Sequence, residues 1–86
     1  MIVSFYGKVT QYTNEDKSYT PNAHATLRGL IDELGEYYGE QFVSFISGNE
    51  ACIILINGKG VMLSGGLDSA LSLGDKIEIL PFVDAG

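Results

Sequence analysis

The run Cys52-Ile53-Ile54-Leu55-Ile56 constrains the fold more than any other stretch. Five consecutive apolar residues, three of them β-branched, read as a strand. A strand with one wet face alternates apolar and polar side chains, and this one does not. It therefore predicts a central strand with both faces covered. Asn57-Gly58 follows at once and is a strong signal for a tight hairpin, with Val61-Met62-Leu63 as the short return strand.

A sheet needs a partner layer. Leu27, Leu30, Ile31, Leu34 and Tyr38 recur at helical spacing after Thr26, an N-cap residue, and Gly39 is a natural stop. Gly29 and Gly35 lie inside this helix and each costs about 1 kcal/mol relative to alanine, so packing of the apolar stripe must hold it. Phe42, Phe45 and Ile46 continue for one or two further turns before Ser47-Gly48-Asn49. Of Tyr37 and Tyr38 at the helix end, one faces the core and the other the rim.

The chain opens with a strand over Ile2 to Val9, placing Val3 and Phe5 on one face and Ile2, Ser4 and Tyr6 on the other. Thr13 to Asp16 is a turn, and Lys17 to Thr20 a short return strand. Gly65-Gly66 turns the chain, Leu67-Asp68-Ser69 makes one tight turn, Leu71 and Leu73 add core contacts, and Gly74-Asp75 turns it into the last strand, Lys76 to Leu80. The first and last strands are both hydrophobic, and a helix lies between the hairpins as a crossover. They should lie side by side, parallel and central. The expected fold is α+β: a β-grasp, with a mixed sheet of about five strands packed on one main helix. The 86 residues fit this single domain (1–86), ending in a flexible tail over residues 82–86.

Composition excludes several functions. Eleven acidic residues against five basic ones give a net charge of −6, which argues against nucleic acid and is compatible with a basic protein partner. No stretch approaches the ~20 apolar residues of a membrane span. One cysteine and an opening without a signal-peptide pattern predict a cytoplasmic protein. One histidine and one cysteine do not make a zinc site. His24 falls in a loop and reads as exposed, Cys52 as packing, and Gly58-Lys59-Gly60 as a turn rather than a phosphate loop. Asp32, Glu33, Glu36 and Glu40 read as a solvated helix face. No acid, base and nucleophile converge, so the chain is not expected to be an enzyme.

The terminus remains. Pro81 cannot donate to a ladder, so pairing ends there on one side. Beyond it lie Phe82, Val83, Asp84, Ala85 and Gly86, with side chains that shrink toward the end. A terminal carboxylate is a poor electrophile until another enzyme activates it. Such a tail must be thin enough to enter a partner's site, and Gly86 has no side chain to clash. With Ile77 and Ile79 toward the helix, Glu78, Leu80 and Phe82 point away from it. Leu80, Pro81 and Phe82 would form a partner docking patch, extended across the sheet by Ile54 and Ile56 or by Ile53 and Leu55. Cover by the chain's own loops or by a second copy is the plainer reading of those residues.

Three segments taken together, Leu27 to Leu34, Ile54 to Lys59 and Gly66 to Pro81, resemble the ubiquitin-like sulfur carriers, in order and over nearly the whole chain. The resemblance is closest to the small subunit of molybdopterin synthase, with the thiamine sulfur carrier as a cousin. It implies a β-grasp fold and a C-terminal glycine, Gly86 here, that an adenylating (E1-like) enzyme activates with ATP and that then bears sulfur as a thiocarboxylate. It implies no cofactor bound by this chain. Val83, Asp84 and Ala85 would enter the partner's site, and the large catalytic subunit of molybdopterin synthase would be that partner. The family typically ends in Gly-Gly and has a second proline where this chain has Ala85 and Phe82. The methyl of Ala85 narrows the tail's conformations. A non-covalent β-grasp module that keeps the docking face without the chemistry is the contrasting reading, as is a carrier for another pathway such as thiamine synthesis.

Overall fold

The structure is a computed structural model that describes residues 1–47, 52–61 and 66–81. Five strands, β1 (Ile2–Phe5), β2 (Ser18–Tyr19), β3 (Cys52–Ile56), β4 (Lys59–Val61) and β5 (Lys76–Pro81), form one sheet in the order β2-β1-β5-β3-β4. The first and last strands pair in parallel, with Val3 opposite Ile77 and Phe5 opposite Ile79, and the other pairs are antiparallel. This is the topology expected from placing a helical crossover between two hairpins. Two helices, α1 (Leu27–Tyr38) and α2 (Glu40–Ser47), cover one face.

Alternation decides which side chains meet that cover. Val3 and Phe5 of β1, Ile54 of β3, and Ile77 and Ile79 of β5 are buried against Leu27, Leu30, Ile31 and Leu34 of α1 and Phe42 and Ile46 of α2. Thr26 caps α1 through a long 3.5 Å bond from the Gly29 N–H to its hydroxyl. The next free amides find other carbonyls: Leu27 N–H bonds Ser69 O at 3.0 Å and Arg28 N–H bonds Leu67 O at 2.8 Å. Residues 67–71 therefore serve as an external cap for the helix, and Leu71 N–H returns a bond to Ala25 O at 2.9 Å.

The two helix glycines have a packing reason. A Cβ at Gly35 would lie 2.7 Å from Val43 Cγ2, so α1 and α2 approach each other there at a residue without a side chain. A Cβ at Gly29 would lie 2.9 Å from His24 Nδ1. The propensity lost at both positions is recovered as close packing. At the helix end Tyr38 is half-buried among Phe5, Tyr19 and Phe42, with centroid separations of 5.5–5.8 Å, while Tyr37 is exposed at the rim.

Asn57 (φ 53°) and Gly58 (φ 85°) make the expected hairpin turn between β3 and β4. Asn57 also ties that turn to β5, donating from Nδ2 to Asp75 Oδ1 at 2.9 Å and accepting the Lys76 N–H at 2.9 Å. Two local expectations change. Strand β1 stops at Phe5, and Gly7–Tyr12 is a 3₁₀ helix that carries Val9 into the core. Gly7 makes the exit possible: its φ is +57°, and a Cβ there would lie 3.0 Å from Pro81 Cγ. Leu73 is exposed, because the turn at Ser72–Asp75 holds it outside the sheet. The expected return-strand residues Met62 and Leu63, the break at Gly48-Asn49 and the turn residue Gly65 fall outside the described residues.

Candidate functional site

The face of the sheet that no described helix covers is the candidate site. Ile2 and Ser4 of β1, Glu78 and Leu80 of β5, and Ile53 and Leu55 of β3 alternate with core residues and so point away from the helices. Of the two extensions open in the sequence, Ile53 and Leu55 are thus the pair on the Leu80 side, and register sets Ile53 directly opposite Leu80. The expectation that β3 is covered on both faces is met on the helix side. Only the helix side has a layer over it among the described residues. Ile54 is 1% exposed, while Ile53 and Leu55 are half-buried.

The polar part of this face is organised around Glu78. Tyr6 donates from its hydroxyl to Glu78 Oε2 at 3.1 Å, and Lys76 Nζ lies 3.9 Å from the same oxygen. Tyr6 is itself 41% exposed and Ile2 44%. At the upper end, Pro81 still pairs in register with Cys52 of β3, whereas on the β1 side the ladder ends with the Tyr6 N–H bonded to Ile79 O at 3.1 Å. Pairing thus ends one-sidedly at the last strand, as the missing N–H of proline requires. Leu80 and Pro81 are half-buried and adjacent on this exit. Phe82, Val83, Asp84, Ala85 and Gly86 lie outside the described residues.

Cys52 is half-buried, with Sγ 3.7 Å from Ile46 O, and burial pushes its thiol up to about 11. It is a packing residue rather than a nucleophile at neutral pH. No group of three His, Cys, Asp or Glu among the described residues is placed to hold a metal ion, and no described helix is long and apolar enough to cross a membrane.

One cluster departs from its sequence reading. Glu33 is not on the solvated face, and His24 is not an exposed loop residue. The Glu33 carboxylate accepts from Tyr19 Oη at 2.6 Å, from the Asn22 N–H at 3.1 and 3.3 Å, and meets His24 Nε2 at 2.6 Å. It fastens β2 and the loop after it to α1. Burial pushes the Glu33 carboxyl up, but the bonds from Tyr19, His24 and Asn22 outweigh it and hold the group below the ordinary carboxylate range. The same bond raises Tyr19 to about 12. A carboxylate depressed in the folded state contributes stability above its unfolded value, and that contribution is lost as pH falls through its folded value. Thermal unfolding of the wild type should therefore fall steeply on acidification below about pH 4.5, the ordinary value. Glu33→Gln should cost roughly 1–2 kcal/mol at pH 7 and flatten that acid limb. Parallel acid limbs in the two proteins would show that Glu33 does not carry it.

A mixed sheet that curls over one main helix, with β1 and β5 parallel at its centre and an apolar outer face at the exit of β5, defines a ubiquitin-like β-grasp protein. The ThiS family model matches residues 3–86. Among solved structures, Mycobacterium tuberculosis CysO, described as an antigen, is 27% identical with a TM-score of 0.76 over 95% of this chain and 98% of its own. The Amycolatopsis orientalis BexX/CysO complex gives 25% identity and a TM-score of 0.77 over 99% of this chain and 98% of that one. A Pyrococcus furiosus protein named as molybdopterin converting factor, subunit 1, shares the fold at 23% identity and a TM-score of 0.71, over 95% of both chains. A search among curated proteins found no match to this chain. The chain belongs to the ThiS family of ubiquitin-like sulfur carriers. Carriers of this family are small proteins, generally non-catalytic, that work with partner enzymes.

Proposed function

We propose that this protein carries sulfur as a thiocarboxylate on Gly86 and delivers it in molybdopterin synthesis, docked on the large subunit of molybdopterin synthase. The observation behind this reading is the apolar outer face around Leu80, Ile53 and Leu55, which adjoins the exit of β5 toward a tail that the family match includes to its last residue. In the proposed cycle an adenylating enzyme joins the Gly86 carboxylate to the α-phosphate of ATP and releases pyrophosphate. Hydrosulfide then attacks the acyl carbon and expels AMP, which leaves the thiocarboxylate. The chain itself binds no cofactor; ATP belongs to the activating enzyme, and the reaction runs in the cytoplasm. Val83, Asp84 and Ala85 thread into the partner while Leu80, Pro81 and Phe82 hold the root of the tail. Asp84 brings a negative charge toward ATP phosphates, so the activating enzyme must present a basic group there.

The test is intact-mass analysis after incubation with the cognate activating enzyme, ATP and a sulfur donor. Replacement of one oxygen by one sulfur, absent when Gly86 is deleted, is the expected result. No exchange in the wild type, together with partner binding that survives the deletion, would leave a non-covalent module. A second reading of the acceptor is favoured by the identities of 27% and 25% to CysO proteins, above the 23% to the molybdopterin converting factor. In that reading the sulfur goes to a different synthase, as it would for a thiamine or cysteine precursor. Offering the thiocarboxylated protein to the pterin precursor with its large subunit separates the two.

A further inference from the structure

A second surface lies between the 3₁₀ helix and α2. The 3₁₀ helix that starts at Gly7, against Pro81, ends at Tyr12, whose ring stacks on Phe45 of α2 with centroids 4.4 Å apart and planes 16° apart. At about 2 Å rise per residue, Tyr12 lies about 10 Å along this helix from Gly7, the residue that sits against Pro81. Tyr12 and Phe45, with Glu40, Gln41 and Ser44, line a shallow open groove. Glu40 and Ser44 are one turn apart on α2, as are Gln41 and Phe45, so the acidic and aromatic walls run side by side. None of the salt bridges among the described residues involves Glu40. No lysine or arginine lines the groove, and the chain as a whole carries −6.

We infer that this groove is a recognition site for an arginine side chain of a protein partner. A guanidinium is planar, stacks on aromatic rings and pairs with a carboxylate, and the groove supplies both kinds of contact with no cation of its own in the way. The apolar outer face of the sheet lacks this chemistry: its one half-buried carboxylate, Glu78, is already engaged by Tyr6 and Lys76. The inference deepens the carrier reading, because an enzyme that grips the tail at Leu80 and Pro81 is within reach of the groove and can hold the body at two points. An acidic carrier with an arginine-specific notch near its tail selects a basic partner and orients it.

The titration that tests it needs no activation chemistry, so its failure and that of the carrier reading are distinguishable. The ¹⁵N-labelled protein is titrated with acetyl-Gly-Arg-Gly-amide and, in parallel, with the uncharged citrulline peptide. Saturable shifts at Tyr12, Glu40, Gln41, Ser44 and Phe45 are expected, with a Kd in the millimolar range, for the arginine peptide only. Glu40→Gln, at an exposed position that should not disturb folding, should weaken binding about threefold, as should added salt. Absence of saturable shifts, equal shifts with citrulline, a Glu40→Gln variant that binds as the wild type does, or shifts centred on Leu55 and Leu80 would each overturn the inference.

Discussion

Phe42→Ala should lower the free energy of unfolding by about 3–5 kcal/mol, the largest loss expected from any single core truncation here. Phe42 is fully buried and meets Phe5 at 6.0 Å and Tyr38 at 5.5 Å between ring centroids. With Ile46 it is one of two buried residues through which the second helix enters the core of the first helix and the sheet. Two terms add: the transfer of a large apolar side chain, and a cavity that the surrounding rings cannot close. Small domains have roughly 5–15 kcal/mol in total, so the variant should sit near the edge of folding. Urea denaturation reads this as a lower midpoint at unchanged slope. A loss under about 1 kcal/mol would mean that α2 does not pack as described.

Leu80→Lys should do the opposite, leaving stability nearly unchanged while weakening binding to the activating enzyme by roughly tenfold or more. The new ammonium shares the outer face with Glu78, two residues earlier on the same strand, so the folded chain gains a neighbouring opposite charge. The same charge, placed in the centre of the apolar patch facing Ile53, must be desolvated when a partner covers it. Calorimetric binding, read beside the melting temperature of each variant, separates the two effects. Unchanged affinity would place the docking surface elsewhere, and a large fall in melting temperature would mean that Leu80 serves the fold rather than a partner.

Much of the fold was legible because it rests on short-range rules. Val3 and Phe5, then Ile77 and Ile79, alternate at the period of a strand. Leu27, Leu30, Ile31 and Leu34 recur at the period of a helix. Asn57-Gly58 marks a turn whose two positive φ angles those residues tolerate. The parallel pairing of β1 with β5 followed from a helix lying between hairpins. The outward side of β5, with Glu78 and Leu80, was legible too, once Ile77 and Ile79 were assigned to the core.

Other features had no local signature. Glu33 looked like its neighbours Asp32 and Glu36, and nothing near it announced that Tyr19 and His24 would converge on its carboxylate from a different element. His24 is held there because Gly29 leaves room for its ring. The glycine was visible in the sequence, but as a helix cost rather than as a receptacle. The early end of β1 had a signal that was missed: Gly7, following Tyr6, is a breaker in an apolar run. The Tyr12–Phe45 stack joins residues 33 positions apart and could not be read from either.

What the chain's own pattern determined is the set of elements, their order and the side each turns inward, because these follow from the period of apolar residues and the backbone demands of a few turns. Whether a second layer exists over β3 was decided only in three dimensions. Ile53 and Ile54 are the same residue type in adjacent positions, yet one is sealed and the other is half open to water. Burial depends on what arrives from elsewhere in the chain, and no helix arrives on that side among the described residues. The face that no described helix covers is the one proposed to meet a partner.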